Sequence, residues 1–142
     1  MVTLSACETA IGKSGGGDGL LGFAQAFLVA GSRSVCLSLW KVDDTATALL
    51  MDRFYRNRLG KREDKAAPMG KAAALAKAKT WLRTLTLDEA TASLGTLTQG
   101  VVRGEKTGIQ IVGPVPKPTV KDGKPFAHPR YWAAFILIGD PD

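Results

Sequence analysis

The sequence predicts an α/β fold built around a parallel strand–helix–strand unit. Residues 2–6 are short and mostly apolar, and residues 34–40, "SVCLSLW", form a second run typical of a buried strand. Between them lies a segment of helical periodicity, which Gly31 can terminate. Its recurring apolar residues are Leu20, Phe23, Ala24, Phe27 and Leu28. Strands joined by a helix pair in parallel, so the ligand region is expected outside their carboxyl ends.

Length and composition place the chain among single-domain globular proteins. It has 142 residues, of which 45% are hydrophobic and 23% charged, so we expect one core and no extensive disorder. No apolar stretch approaches the roughly 20 residues that cross a bilayer, and the first residues do not resemble a signal peptide. Two cysteines are too few for a disulfide framework and suit a reducing compartment. We therefore expect a cytoplasmic protein with no membrane partner.

The net charge of +6 is concentrated in the second half of the chain. Residues 61–125 carry twelve basic and six acidic side chains, whereas residues 1–60 carry six and five. No basic stripe is interleaved with aromatic residues, and the sequence contains no recognised nucleic-acid-binding module. We interpret the excess as solvated lysines and expect no nucleic-acid partner.

Two more helices are predicted after residue 40. Asp43 or Asp44 can cap the first, and Pro68 lies near the start of the second. The expected buried stripe of the first helix comprises Leu50, Met51, Phe54 and Leu59. The expected buried face of the second comprises Leu75, Ala78, Leu82 and Leu85, with Lys71, Lys77 and Lys79 largely outside it.

The last third of the chain is predicted to be a loop followed by a strand. Residues 86–125 are rich in glycine and proline, so we expect them to be mostly loop, either variable or inserted. Residues 131–139, "YWAAFILIG", are typical of a final buried strand. A sheet whose first strand starts at residue 2 leaves one side of that strand without a partner, so the chain is expected to be the back half of a domain.

A phosphate-binding loop is the first function to test, because Gly12, Lys13 and Ser14 match the end of the G-x-x-x-x-G-K-[ST] pattern. The pattern requires another glycine five residues before Gly12, where this chain has Cys7. It also requires a helix directly after the lysine, whereas residues 15–19 are mostly glycine and disfavour a helix. The sequence therefore does not support a phosphate loop here.

The two cysteines have different surroundings. Cys7 follows a buried strand, where turn amides can bind an oxyanion and a helix N-terminus favours a thiolate. It is therefore a candidate nucleophile, with a small buried core residue as the alternative. Cys36 has apolar neighbours in mid-strand and is expected to pack in the core.

Three segments in order resemble the C-terminal half of CHAT domains, caspase-like and separase-like modules often associated with tetratricopeptide repeats. They are "VTLSACETAIG", then "GDGLLGFAQAFLVAGSRSVCLSLWKVDDTATALLMDRFYRNRL", and finally "HPRYWAAFILIGD". The resemblance covers most of residues 1–142 and is weakest over residues 86–125. It implies a three-layer α-β-α caspase-like sandwich with a mainly parallel sheet, here apparently truncated on its N-terminal side.

The resemblance further implies a cysteine endopeptidase with a His–Cys dyad and no cofactor or metal ion. The family cysteine of the "SAC" turn corresponds to Cys7, and the "LWKVDD" segment lies beside the substrate cleft. Trp40, Asp43 and Asp44 are therefore candidates for contact with a protein or peptide substrate. Their alternative roles are strand-end packing for Trp40 and helix capping for Asp43 or Asp44. An acidic wall that includes Asp18 would favour a basic substrate residue.

The catalytic histidine of the family lies upstream of the cysteine, but only six residues precede Cys7. The single histidine, His128, matches the segment before the last strand and is expected to be structural. We therefore expect this chain to be inactive alone, with the histidine supplied by a missing N-terminal half or a separate chain. The alternative is a non-catalytic interaction or scaffold module of the same fold. Zinc bound by Cys7, Cys36 and His128 is disfavoured, because their spacing fits no zinc motif.

Overall fold

The computed structural model describes residues 1–4, 18–61, 67–99 and 123–142. The elements in these ranges are β1 (Val2–Leu4), α1 (Asp18–Val29), β2 (Ser34–Ser38), α2 (Asp44–Leu59), α3 (Lys71–Thr84), α4 (Leu87–Gln99), a 3₁₀ turn (Pro129–Tyr131) and β3 (Phe135–Gly139). Within these ranges no helix combines the length and the apolar character that a membrane span requires. The mixture of strands and helices confirms the predicted α/β class.

The described strands form one sheet in the order β1-β2-β3. β1 and β2 pair in parallel with Thr3 opposite Cys36, which confirms the predicted strand–helix–strand unit. β3 runs antiparallel to β2, with Leu137 opposite Cys36. The expectation of a mainly parallel sheet is therefore wrong for these strands, because one of their two pairings is antiparallel. The final strand also starts at Phe135, since residues 129–131 form a 3₁₀ turn that leads the chain back to the end of β2.

β2 is the centre of the core, and all five of its residues are buried. Cys36 belongs to a hydrophobic cluster that includes residues of α2, α3 and α4. Its neighbours Val35 and Leu37 pack instead with Ala24 of α1. Because successive side chains of a strand point to opposite faces, helices cover both faces of this sheet. Such two-sided burial explains why β2 is a continuous apolar run in the sequence.

Helix α2 buries most of its predicted stripe. Leu50 and Phe54 are fully buried, whereas Met51 is half-buried. Leu59 is 58% exposed, so its assignment to the stripe is wrong. Gly60 ends the helix in the left-handed conformation with φ of 64°, and its N–H donates to the carbonyl of Arg56. Leu59 is the last residue of the helix, directly before this cap, and its side chain lies away from the core.

Helix α3 confirms the predicted apolar face and corrects the position of one lysine. Its buried residues include Ala74, Leu75, Ala78 and Leu82, and Leu85 is buried at its end. Lys71 was expected outside this face but is 6% exposed. Its Nζ donates to the carbonyl of Asp140 at 3.1 Å and lies 3.6 Å from Oδ2 of the same residue. This pairing compensates the cost of burying the ammonium group.

Asn57 is a buried polar contact between α2 and the start of α3. Its side-chain Nδ2 donates to the carbonyl of Ala74 at 3.0 Å, and its backbone carbonyl accepts from the N–H of Met69 at 3.1 Å. The side chain is 0% exposed. Because buried polar groups favour one hydrogen-bonded arrangement, Asn57 sets the register of these two helices.

The expectation that residues 86–125 are mostly loop is wrong for their first part, which forms α4. Thr86 and Glu89 form a capping box: Oγ1 of Thr86 accepts from the N–H of Glu89 at 3.3 Å, and Oε2 of Glu89 accepts from the N–H of Thr86 at 2.9 Å. These hydrogen bonds from Thr86 lower the pKa of Glu89. The glycine and proline content pointed to a loop, but the T-x-x-E signal outweighs Gly95 within the helix. Residues 100–122 lie outside the described ranges.

The end of β3 is fastened to both neighbouring elements through Asp140. The Asp140 carboxylate pairs with Nη2 of Arg33 at 2.7 Å, and the Asp140 N–H donates to the Arg33 carbonyl at 2.9 Å. Hydrogen bonding from the N–H of Asp142, with lesser contributions from Lys71 and Arg33, lowers the pKa of Asp140. Gly139 allows this approach, since a Cβ there would lie 2.5 Å from the Arg33 carbonyl oxygen.

Burial of Cys36 predicts a pH dependence of stability. Burial raises the pKa of its thiol to about 11 from 9.0, against a smaller opposing effect of Lys79. Between these two values the unfolded chain has lost the proton and the folded chain keeps it, so stability falls as pH rises. The loss attributable to this thiol is on the order of 2–3 kcal/mol between pH 9 and 11.

The measurement is urea denaturation of the natural chain and of Cys36→Ala from pH 7 to 11. The substitution lowers stability at every pH because it removes core volume, but the variant lacks the additional alkaline loss. Other titrating groups are present in both chains, so the difference between the two curves isolates Cys36. Parallel curves throughout this range would contradict the assignment.

Candidate active site

The carboxyl ends of β1 and β2 lie side by side at one edge of the sheet. Leu4 is opposite Leu37, so the chain that leaves β1 and the chain that leaves β2 emerge next to each other. β3 starts at the same edge, where Phe135 is opposite Ser38 and the N–H of Leu39 donates to the carbonyl of Ala134 at 2.9 Å. Three connecting segments therefore meet here.

Cys7, the predicted nucleophile, lies outside the described residues, as do Ser5, Glu8 and Thr9. The structure gives the end of the preceding strand at Leu4, three residues before it.

Trp40 is fixed at this edge by a hydrogen bond across 90 residues of sequence. Its indole Nε1 donates to the carbonyl of Arg130, in the 3₁₀ turn before β3, at 3.0 Å. The side chain is 38% exposed, so it is neither a core residue nor a free surface residue. An indole held at its polar end presents a positioned aromatic surface at the sheet edge.

The two neighbouring aspartates have different roles at the start of α2. Oδ1 of Asp43 accepts from the N–H of Ala46 at 3.0 Å, and the Asp43 carbonyl accepts from the N–H of Thr47 at 2.9 Å. Asp43 is therefore the N-cap that the sequence allowed. Asp44 is the first helical residue and is exposed. The cap thus uses Oδ1 of Asp43 and no atom of the Asp44 side chain.

His128 is an N-cap and does not have the environment of a general base. Its Nδ1 accepts from the N–H of Arg130 at 3.2 Å, and its carbonyl accepts from the N–H of Tyr131 at 3.1 Å. The side chain is exposed. This agrees with the predicted structural role, since the ring nitrogen that would act as a base is occupied in holding the turn.

The described residues offer no alternative metal or thiol chemistry. No group of three or more His, Cys, Asp or Glu side chains capable of holding a metal ion occurs among them. Cys36 is fully buried in β2, and its raised pKa keeps the thiol protonated at neutral pH. Cys36 therefore packs in the core, as predicted.

The strand edge and its three segments can be compared with known proteins. A family model described as the CHAT domain matches residues 1–140, which is nearly the whole chain. The chain belongs to the CHAT domain family. It is thus a caspase-like, peptidase-related module, as the sequence motifs indicated. Searches of curated proteins and of solved structures gave no match.

The sequence of this CHAT domain did not reveal the contribution of Arg130 and Tyr131 to the edge. The Arg130 guanidinium lies over the Tyr131 ring, 4.6 Å from its centroid, while the Arg130 carbonyl holds Trp40. Tyr131 in turn packs edge-on against Phe126 with centroids 5.4 Å apart. The segment "HPRYW" was the only sequence signal for this contact. The Trp40 indole binds the backbone carbonyl of Arg130, and a backbone contact does not depend on the identity of the side chain at that position.

The capping role of Asp43 in the CHAT domain is testable by substitution. Asp43→Ala is expected to lower the free energy of unfolding by about 1 kcal/mol, whereas Asp43→Ser retains a capping oxygen and most of the stability. Asp44→Ala is the matched control and costs at most a few tenths of a kcal/mol, from the helix dipole. Urea denaturation measures all three. Equal losses for the two alanine variants would contradict the assignment of Asp43 as the cap.

Proposed function

We propose that this chain is the nucleophile-bearing part of a caspase-like cysteine endopeptidase, with Cys7 as the nucleophile. The complete fold is proposed to be a three-layer α-β-α sandwich, of which the described sheet with helices on both faces forms part. The observation that carries the proposal is the common edge formed by the carboxyl ends of β1 and β2. Active sites of open α/β sheets lie at such edges.

Chain connectivity supports the position of Cys7 at this edge. Cys7 follows Leu4 by three positions, so its Cα lies within about 11 Å of the end of β1. The neighbouring strand continues directly into Trp40 and the N-cap Asp43. A nucleophile after β1 would therefore face a wall made by the segment after β2.

The proposed reaction needs a histidine that this chain does not supply. His128 is occupied as a cap, so the base is proposed to come from a segment or chain outside these 142 residues. That base takes the proton of the Cys7 thiol, and the thiolate attacks the peptide carbonyl while backbone amides bind the oxyanion. The same proton passes to the leaving amine as the peptide C–N bond breaks. Water then hydrolyses the thioester and restores the thiol.

The wall after β2 is proposed to orient the substrate. The Trp40 ring offers an apolar surface, and the exposed carboxylate of Asp44 offers a negative charge. Asp43 organises the wall by capping α2 through Oδ1, and its second carboxylate oxygen is proposed as a further candidate for substrate contact. Without the histidine the chain alone is proposed to be inactive, because removal of the base from such a dyad costs several powers of ten in rate.

The nucleophile is testable with the domain completed by its histidine-bearing part. Cys7→Ala is expected to lower kcat/KM for peptide cleavage by at least about a thousandfold, because no other group can form the thioester. Cys36→Ala is the control, since this thiol is buried and protonated, and its kcat/KM is expected to stay within about threefold. Survival of activity in the Cys7 variant would refute the assignment.

An acidic wall predicts a preference for a basic residue before the cleaved bond. Asp44→Asn is expected to lower kcat/KM for arginine or lysine at that position about tenfold relative to a neutral residue, since it removes one charge contact. Asp88→Asn, an exposed aspartate in the first turn of α4, is the matched control and leaves the preference unchanged. A peptide library without enrichment of basic residues would contradict the prediction.

A non-catalytic interaction module is the second candidate function. Among the described strands β1 pairs only with β2, and α1 exposes Phe23 by 48% and Val29 by 82%. An open strand edge and exposed apolar residues are features of protein contact surfaces. A completed domain that binds protein partners but cleaves no peptide, with or without Cys7, would favour this candidate over the peptidase.

A further inference from the structure

A polar cleft opens between helices α2, α3 and α4, away from the sheet edge that holds Trp40. Its volume is about 110 Å³. The lining residues are Asp52, Arg53 and Arg56 of α2, Trp81 of α3, and Ser93 and Thr96 of α4. The α2 residues lie eight to twelve positions after Asp44, or about 12–18 Å along the helix axis. The cleft is therefore separate from the proposed active site.

Two arginines stand on the α2 wall, and within the described part of the chain only Arg56 is paired with a carboxylate. Nε of Arg56 lies 2.7 Å from Oδ2 of Asp52. The Arg53 guanidinium instead lies over the Trp81 ring, 5.2 Å from its centroid. Its Nε is buried and has no hydrogen-bond partner within the described part of the chain. Nε itself is closed to a ligand, but Arg53 is only half-buried and lines the cleft, so the remaining N–H groups of its guanidinium can donate to an oxygen ligand there.

The opposite wall, from α4, adds hydroxyl groups. Oγ1 of Thr96 donates to the carbonyl of Ala92 at 3.2 Å, so its proton is already used within the helix. Ser93 lines the cleft one turn earlier, and a serine hydroxyl can rotate to donate to an anion. Donors therefore approach the cleft from two helices, and the lining side chains carry a net charge of +1 from two arginines and one aspartate.

We propose that this cleft binds the phosphoryl group of a small phosphorylated molecule. A tetrahedral oxyanion accepts hydrogen bonds from several directions, so it can bind the guanidinium groups of α2 and the hydroxyl of Ser93 at the same time. Arginine also pairs with phosphate through two parallel hydrogen bonds. The site belongs to no part of the proposed peptide-cleaving machinery and does not depend on the identity of the nucleophile.

A shallower groove beside the cleft can hold the rest of such a molecule. It shares Asp52 and Arg56 with the cleft, has a volume of about 390 Å³, and continues past Tyr55 and Leu59 to Lys61. Tyr55 is 41% exposed and Leu59 is 58% exposed. An aromatic ring and an aliphatic side chain beside a cationic cleft suit a ligand with an apolar or aromatic body and an anionic end.

Titration of the ¹⁵N-labelled chain tests the site directly. The three tryptophans give three indole N–H signals, and Trp81→Phe identifies the one in the cleft. Inorganic phosphate, adenosine monophosphate and O-phosphoserine are added separately at constant ionic strength. At least one of them is expected to shift the Trp81 signal saturably, with little effect on Trp40 and Trp132, whose indoles donate to backbone carbonyls.

Arg53→Gln is expected to weaken this binding at least about tenfold, because it removes a guanidinium that lines the cleft. Arg83→Gln is the matched control. Arg83 lies over the Trp132 ring, 5.7 Å from its centroid, and does not line the cleft, so the Kd of this variant for the same probe is expected to be unchanged. Ser93→Ala provides a second, milder variant whose Kd is also expected to rise, so the test remains decisive if Arg53→Gln unfolds.

Three results would overturn the proposal: an equal shift with chloride, an equal loss in the Arg83 variant, or no saturable shift below about 10 mM with any of the three probes. Tighter binding of adenosine monophosphate than of the other probes assigns the phosphoryl group to nucleotides. Tighter binding of O-phosphoserine assigns it to phosphorylated amino acids. Equal affinities show that the phosphoryl group alone is recognised.

Discussion

Strand β2 has no face in contact with solvent, and the described layers are arranged around it. Cys36 points toward the helices α2 to α4, while Val35 and Leu37 point toward α1. Burial of each such side chain contributes about 1.5–3 kcal/mol, so neither helical layer can be removed without exposing the centre of the sheet. A charge in mid-strand would have no pairing partner, and the sequence there is accordingly apolar.

The same constraint determines where chemistry can occur. Because helices cover both faces of the described sheet, a ligand can approach it only at its edges, and the carboxyl ends of the parallel pair β1–β2 lie at one of them. At that edge, polar side chains hold the backbone. Asp43 caps α2, His128 caps the 3₁₀ turn, and Trp40 joins the segment after β2 to the 3₁₀ turn before β3. Each of these side chains positions a backbone segment at this edge of the sheet.

The outer helical layer uses a different principle, in which buried or half-buried polar side chains fix one helix against another. Asn57 joins α2 to α3, and Lys71 joins α3 to the end of β3 through Asp140. Between α2 and α3, the Arg53 guanidinium lies over the Trp81 ring, and its Nε has no hydrogen-bond partner among the described residues. Such side chains fasten the layer even where one of their atoms has no hydrogen-bond partner among the described residues, as with Oδ1 of Asn57 and Nε of Arg53.

The sequence by itself determined what depends on local pattern: the parallel unit of β1 and β2, the positions of α1, α2 and α3, the core role of Cys36 and the family motifs around residue 7. Only the tertiary structure decided the antiparallel direction of β3, the burial of Lys71 and the juxtaposition of Arg53 with Trp81. Periodicity reports which face of an element is apolar. It does not report which distant group will meet that face, because such contacts depend on how whole elements pack.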